Sequence, residues 1–415
     1  MDSIFDILAY SDFRESVSDH TLFLRNDCNS LIEKVEIGNI SVNRFTNEYW
    51  TSKQRKAHSL HEISYRACFK PQLPNFFINK YTKVGDIVYD PFAGRGTTLL
   101  EAALLGRNVI LNDVNPLSII FTKPRIFVPT LDEVIDRVLE IRFGKYEEKF
   151  DLSMFYHHDT LNEIISLREY IQLRKKEGNY DHVDAWIQMV ATNRLTGHSS
   201  GFFSVYTLPP NQAITPDRQK LINLKRNLVP EYRNTKKIII DKSAQLLKKL
   251  TLIDKQNLWN VAQKSLFCNQ KAHNTSEICD ETVDLVVTSP PFLDVVQYAS
   301  DNWLRCWFNS IDISQIESNI TILKKISDWN SYMSLVFNEL FRVTKAGGHI
   351  AFEVGEVKNG KINLDEHIVE IGISAGFECE AIMINKQEFT KTAAIWGVKN
   401  NVKGTNTNRI VIFKK

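Results

Sequence analysis

The chain has 415 residues, 43% hydrophobic and 24% charged, the proportions of an ordinary globular protein with room for two or three domains. A formal net charge of +2 excludes a uniformly basic nucleic-acid coat, so a phosphate-binding surface has to come from local clustering. The six cysteines form no C-x-x-C pair, no apolar run reaches the ~20 residues of a membrane span, and the N-terminus lacks a signal-peptide pattern, so the expectation is a cytoplasmic protein with reduced thiols, no metal and no membrane partner.

Residues 1–57 show no clear period and are read as an N-terminal extension. His58 to Lys80 has a helical pattern that Pro71 and Pro74 interrupt. Asp86 to Asp90 is strand-like and runs into Asp90-Pro91-Phe92-Ala93-Gly94-Arg95-Gly96-Thr97-Thr98. A helix is expected from Thr97 to Leu105, stopped by Gly106, and Asn108 to Asp113 reads as a second strand. This strand–loop–helix–strand unit begins a parallel α/β sheet. The sheet rhythm then stops. Leu131–Arg142, Leu161–Lys176 and Ala185–Leu195 have amphipathic helical spacing. Strands return at Ser265–Cys268 and Val283–Thr288, and the second of these closes on Ser289-Pro290-Pro291-Phe292. A helix from Asp328 to Thr344 ends at Ala346-Gly347-Gly348, His349–Val354 is the next strand, and Cys379–Asn385 with Asn408–Phe413 form a final pair. The division expected is a catalytic domain in two parts, 58–116 and 261–415, interrupted by a mainly helical insertion at 117–260.

A turn between a strand and a helix sets backbone N–H groups and a helix N-terminus against a polar ligand. Gly94 and Gly96 remove side chains where that ligand passes and allow positive φ, and Thr97 opens the helix. Asp113, ending the second strand about 20 residues on, has the position of an acid that accepts ribose hydroxyls. Residues 191–260 hold twelve basic residues against four acidic ones, the electrostatic footprint of phosphate binding. Arg194, His198 and Ser199, in a glycine-containing turn, together with Lys236, Lys237 and Asn406 in a polar loop near the C-terminus, are candidate DNA contacts. Tyr298, Asp301, Asn302 and Trp303 follow the proline motif and are candidates to line its pocket.

The glycine loop and Ser289-Pro290-Pro291-Phe292, each after a strand, resemble the S-adenosylmethionine-dependent amino-methyltransferases of DNA, which make N4-methylcytosine or N6-methyladenine. The resemblance covers about residues 58–116 and 261–415, with the cofactor motif first, in the order called alpha. It implies a class I methyltransferase fold: a Rossmann-like, mostly parallel seven-stranded sheet with a terminal antiparallel pair. It implies S-adenosylmethionine held by Phe69, Lys70, Asp90, Pro91, Phe92, Gly94, Gly96, Thr97, Asp113 and Asn269, with Asp90 near the methionine amino group. Asn269 stands where the family is usually acidic. A serine before Pro-Pro-Phe is commonest among N4-cytosine enzymes.

An exocyclic amino group is a poor nucleophile because its lone pair is delocalised into the ring. The carbonyl of Pro290, held by consecutive prolines, and the hydroxyl of Ser289 can accept its hydrogens; Pro291 stiffens the turn and Phe292 offers a face for stacking. The resulting expectation is a site-specific methyltransferase acting on N4 of a flipped-out cytosine in double-stranded DNA, in a bacterial or archaeal cytoplasm at the nucleoid, with a cognate restriction endonuclease as candidate partner. N6-adenine methylation, RNA base methylation and a non-catalytic DNA-binding partner are the alternatives.

Overall fold

The computed structural model describes residues 30–47, 49–50, 57–65, 69–146, 148–207, 213–291, 298–314, 325–357, 361–386 and 407–415, together with Ile4 and Leu8. The described chain opens with a hairpin, β1 (Leu31–Ile37) and β2 (Ile40–Asn47). A single 3-10 turn at Ser59–His61 precedes α1 (Gln72–Tyr81), β3 (Ile87–Asp90), α2 (Thr97–Leu104) and β4 (Asn108–Asn112). Seven helices follow: α3 (Leu117–Ile126), α4 (Leu131–Glu140), α5 (His158–Lys176), α6 (His182–Arg194), α7 (Pro216–Arg226), α8 (Thr235–Leu247) and α9 (Leu252–Ala262). The sheet resumes with β5 (Leu266–Cys268) and β6 (Val283–Thr288), then α10 (Tyr298–Phe308), α11 (Ile326–Val343) and β7 (Thr344–Val354). Two-residue strands β8 (Glu356–Val357) and β9 (Ile362–Asn363) lead into α12 (Leu364–Ser374), β10 (Glu378–Lys386) and β11 (Thr407–Lys414).

The main sheet runs β1-β2-β10-β11-β7-β6-β3-β4-β5. Strands β5, β4, β3, β6 and β7 are mutually parallel, and β11 enters antiparallel between β7 and β10. This is the expected seven-stranded α/β sheet with its terminal antiparallel pair. The N-terminal hairpin extends it to nine strands, β2 lying parallel to β10.

Both faces of the central strands are buried, as helix-covered parallel sheets require. Side chains alternate between two apolar clusters: Val109 and Leu111 face one, Ile110 the other; Leu285 and Val287 face one, Val286 the other. The first cluster continues without a break into the inserted helices through Phe121, Trp186 and Phe203. Helices α3 and α9 pack directly on α2, so the insertion is docked against the catalytic layer at both of its ends.

Two local expectations are corrected. The prolines near residue 72 start a helix rather than interrupt one. Pro71 is the residue before α1 and Pro74 sits in its first turn, where a missing N–H costs no intrahelical bond. Gly347 and Gly348 lie inside β7 rather than ending a helix: the Gly347 N–H donates to the Lys415 carbonyl at 2.7 Å, and the Lys415 N–H to the Gly348 carbonyl at 3.0 Å. A Cβ on Gly348 would come within 3.0 Å of the Lys345 carbonyl, which explains the glycine.

Candidate active site

The strand order reverses at β3, with β4 on one side and β6 on the other. In an open α/β sheet the crevice beyond the strand ends at such a switch point is where ligands bind. Asp90 ends β3 and Thr288 ends β6, so the two sequence motifs leave neighbouring strands. They are bonded to each other: the Thr288 hydroxyl donates to Asp90 Oδ1 at 2.6 Å, and the Phe92 N–H donates to the same oxygen at 3.1 Å. The Thr98 hydroxyl, in the first turn of α2, donates to the Val287 carbonyl at 3.0 Å. Asp90 is 2% exposed. Burial pushes its carboxyl up to about 7 against the hydrogen bonds from Thr288 and Phe92.

Asp113 lies just past the end of β4 and ties the glycine loop down. Its Oδ2 accepts the Gly94 N–H at 2.8 Å and its Oδ1 the Asn115 N–H at 2.9 Å. Burial raises this carboxyl to about 6, opposed by those two N–H groups. A carboxylate has about four lone-pair directions, so two remain for hydroxyl donors. Gly94 and Gly96 both have positive φ, 52° and 73°. A Cβ on Gly94 would meet only Tyr65 at 3.7 Å and the Phe92 carbonyl at 4.0 Å. A Cβ on Gly96 would collide with the Thr122 side chain. Gly96 is therefore required by helix packing as well as by its backbone angle, and Gly94 is the glycine with open space before it. No side chain caps α2, so its first-turn N–H groups face the loop.

The other residues expected at this loop take varied places. Pro91 is buried, its carbonyl accepting Asn112 Nδ2 at 3.3 Å, and Phe92 is half-buried against the second apolar cluster. The Thr97 hydroxyl accepts from Arg95 Nε at 3.2 Å, so it is engaged within the loop. Asn269 is exposed after β5, and its Nδ2 donates to the Asp113 carbonyl at 2.5 Å. Phe69 packs against the first apolar cluster, and the Lys70 carbonyl accepts the Leu73 N–H as α1 begins.

Several residues that build the loop carried no motif. Asn112 staples three strand ends: besides Pro91, its Nδ2 reaches the Gln270 carbonyl at 3.0 Å, and its Oδ1 accepts the Gln270 N–H at 2.9 Å. Arg125 is fully buried in α3 and donates to the carbonyls of Phe121 at 2.8 Å, Leu60 at 3.2 Å and, by Nη2, Arg95. Asn115, Ser118 and Thr122 follow one another at three- and four-residue spacing on the side of α3 that meets the loop. Asn115 Nδ2, Ser118 Oγ and Thr122 Oγ1 are buried without partners among the described residues. A helical spacing of short polar residues was the only available signal for them.

Beyond Thr288, Ser289 is half-buried and Pro290 buried. The Ser289 side chain is hydrogen-bonded to Glu353, at the adjacent end of β7, which also accepts from Asn408 Nδ2 on β11. Glu353 is 5% exposed and burial raises its carboxyl. The Trp329 indole N–H donates to the Pro291 carbonyl at 3.1 Å, fixing the turn against α11. Phe292, like Asn406 of the C-terminal loop, lies outside the described residues. Trp303 turns toward the insertion, donating to the Ile214 carbonyl at 3.2 Å beside Phe155.

In the insertion, Arg194 is buried, whereas His198 and Ser199 are exposed. Lys237 is exposed and bonded to Asp241 at 2.5 Å. Lys236 has a structural tie: Nζ donates to the carbonyls of Leu139 at 3.2 Å and Ile141 at 2.6 Å, closing the end of α4. Among the described residues no group of His, Cys, Asp or Glu could hold a metal ion, and no helix is long and apolar enough to cross a membrane.

The buried carboxyl of Asp90 and the half-buried one of Asp113, both with raised pKa, form a complementary set with an uncapped helix N-terminus and an orphaned donor on Asn115. They suit a ligand carrying positive charge, hydroxyl donors and a carboxylate, as S-adenosylmethionine does. The family model described as DNA methylase, of the N6/N4 type, matches residues 25–119, which include Asp90, the glycine loop and Asp113. This match and the relatives that follow support an S-adenosylmethionine-dependent DNA amino-methyltransferase. The Type II methyltransferase M.BsoBI of Geobacillus stearothermophilus is 24% identical over 385 residues, 80% of this chain and 71% of that one. M.MjaII of Methanocaldococcus jannaschii is 34% identical over 74 residues, 18% of this chain and 14% of its own. A S-adenosylmethionine-dependent methyltransferase from Methanosarcina mazei has a TM-score of 0.33 at 11% identity, over 82% of this chain and 96% of that structure.

Proposed function

We propose that this protein is a site-specific DNA methyltransferase acting on N4 of a cytosine flipped out of the duplex. The observation that carries the reading is the bond between the two motifs, Thr288 to Asp90, which sets the cofactor loop and the Ser-Pro-Pro turn side by side at one switch point. S-adenosylmethionine supplies an electrophilic methyl group on a sulfonium. Asp90 holds the amino acid end, Asp113 accepts ribose hydroxyls, and the open side of Gly94 lets the ligand approach the backbone. Phe69, Lys70 and Phe92 complete the walls, and Asn269 keeps the Asp113 main chain in place.

At the base, the Pro290 carbonyl and the Ser289 oxygen accept the amino hydrogens and favour a pyramidal nitrogen, with Phe292 stacking on the ring. Glu353, its carboxyl raised by burial, orients the serine hydroxyl. Alignment and exclusion of water supply most of the acceleration, since the methyl is already activated. The serine at the head of the motif supports N4-cytosine over N6-adenine. The flipped base leaves its stack at a cost of a few kcal/mol, which contacts to the insertion and stacking offset. The reading extends to a bacterial or archaeal cytoplasm and to service beside a cognate restriction endonuclease.

The raised carboxyls give the cofactor a pH dependence. A bound cation favours ionised Asp90, whose carboxyl titrates at about 7 in the free protein. Affinity should therefore weaken by up to about tenfold per pH unit as the pH falls from 7 to 5.5, a range in which the cofactor's own charge is constant. The ligand-free protein should show the opposite sign: these carboxyls bind protons more tightly folded than unfolded, so stability drops as the pH rises from about 4 to about 7. Titration calorimetry and urea melts across that range measure both, and a flat affinity profile contradicts the assignment of Asp90. For the activity, tritiated S-adenosylmethionine is offered with duplex DNA or total RNA. Label in the DNA is expected; label confined to RNA overturns the substrate.

A further inference from the structure

Between the last turn of α6 and the first turns of α8 lies a cleft of about 480 Å³, well away in sequence from both motifs. Its walls carry four cations, Arg194, Arg233, Lys237 and Lys242, against two carboxylates, Glu231 and Asp241. Asp241 is already engaged by Lys237. Arg194 is 8% exposed and Lys242 7%. The Arg194 guanidinium lies 3.9 Å from the centre of the Phe202 ring and donates from Nη2 to Asn193 Oδ1 at 2.5 Å. Its Nε has no acceptor among the described residues, and no carboxylate there stands within ion-pair distance of it. Lys242 donates to Gln245 Oε1 at 3.0 Å and stands 3.8 Å from Glu62. Burial pulls Arg194 down to about 10, and burial together with the charge of Arg194 pulls Lys242 down to about 8.

Two cations brought together and stripped of water are unfavourable alone, and an anion between them removes that penalty. The start of α8 adds the positive end of a helix, its N-cap Asn234 accepting the Lys237 N–H at 2.8 Å. We propose that this cleft binds a phosphate of the DNA backbone, gripped by Arg194, Lys242 and Arg233. The proposal rests on the DNA reading above and places one contact of the insertion.

The hydrogen-bond wiring favours backbone phosphate over a free anion. Asn193 Nδ2 donates to the Ser64 carbonyl at 3.0 Å, and Arg305 Nη2 of α10 donates to the same oxygen at 3.0 Å. Asn193, which accepts from Arg194, thus shares one acceptor with the helix that follows the base motif. Exposed Ser200 and Gly201 form part of its wall, and His198 and Ser199 precede them at the surface, so a strand can run across it. A phosphate seated there registers the duplex on the insertion while a base enters the pocket.

The test uses the full chain, the variants Arg194→Gln and Lys242→Gln, a random-sequence 24-base-pair duplex, and inorganic pyrophosphate as the free anion. Lys242→Gln is the milder change and guards against misfolding of Arg194→Gln; cofactor affinity reports the fold of each. Each variant should lose about tenfold in duplex affinity at low salt and lower the slope of log K against log salt by about one, with cofactor affinity unchanged. A wild-type duplex affinity and slope in both variants overturns the proposal and leaves the DNA reading standing. If the wild type binds no duplex, the DNA reading falls and this proposal with it. Pyrophosphate bound by the wild type and lost in the variants, with duplex binding untouched, assigns the cleft to a free anion and also overturns the proposal.

Discussion

Replacing Asp90 by asparagine should remove most of the cofactor affinity and leave the protein folded. Asparagine keeps the oxygen that accepts from Thr288 at 2.6 Å and from the Phe92 N–H at 3.1 Å, and removes only the charge. A charge-assisted bond to a cation is worth roughly 2–3 kcal/mol, so affinity should fall about 100-fold. The variant should also lose the pH dependence below pH 7. Without ligand at pH 8 it should be more stable than the wild type, by about 1–3 kcal/mol, because a buried carboxyl raised to about 7 is ionised there at a cost. Titration calorimetry and urea melts at pH 8 read these effects. A variant that binds normally would show that Asp90 is only a structural bridge between the strand ends.

Arg125→Met should produce the largest loss of stability in the catalytic layer. The arginine is fully buried, and its guanidinium serves the carbonyls of Phe121, Leu60 and Arg95. Methionine fills most of the volume and leaves three buried acceptors without their donor, each worth about 1–3 kcal/mol. Allowing for the desolvation penalty the charge no longer incurs, the net loss should be about 3–5 kcal/mol. The urea midpoint should drop, and cofactor affinity should weaken in the surviving folded fraction, because the Arg95 carbonyl and residues 58–63 are released together. An unchanged midpoint would mean that the loop is held by other contacts.

The parts of the fold that were legible in the sequence are those where local pattern and tertiary role agree. Val283–Thr288 and Asn108–Asn112 are apolar runs because both faces of a parallel strand are covered, and the glycines at 94 and 96 announce a turn with positive φ. The N-terminal hairpin was missed although Gly38-Asn39 between its strands is a turn signal. Five of the seven β1 residues are exposed, and Glu33 interrupts the face shared by Leu31, Val35 and Ile37, so the period is weak. The loop's supporting residues were illegible for a different reason. Asn112, Arg125 and Glu353 matter through partners up to 158 residues away, and nothing in their own neighbourhood distinguishes them from surface polar groups. The basic excess of residues 191–260 was legible as a count. Its distribution was not: Lys236 closes a helix end, while Arg194 and Lys242 are buried in one cleft.

Under the proposed function, the two motifs joined at Asp90 and Thr288 place a methyl group on a cytosine amino nitrogen in DNA. The most direct measurement is mass spectrometry of nucleosides from enzymatically digested host DNA, comparing cells expressing the wild type with cells expressing Asp90→Asn. N4-methyl-deoxycytidine is expected in the wild-type sample and should be strongly reduced in the variant. N6-methyl-deoxyadenosine as the sole product would contradict the base assignment, and unmodified DNA beside methylated RNA would contradict the claim itself.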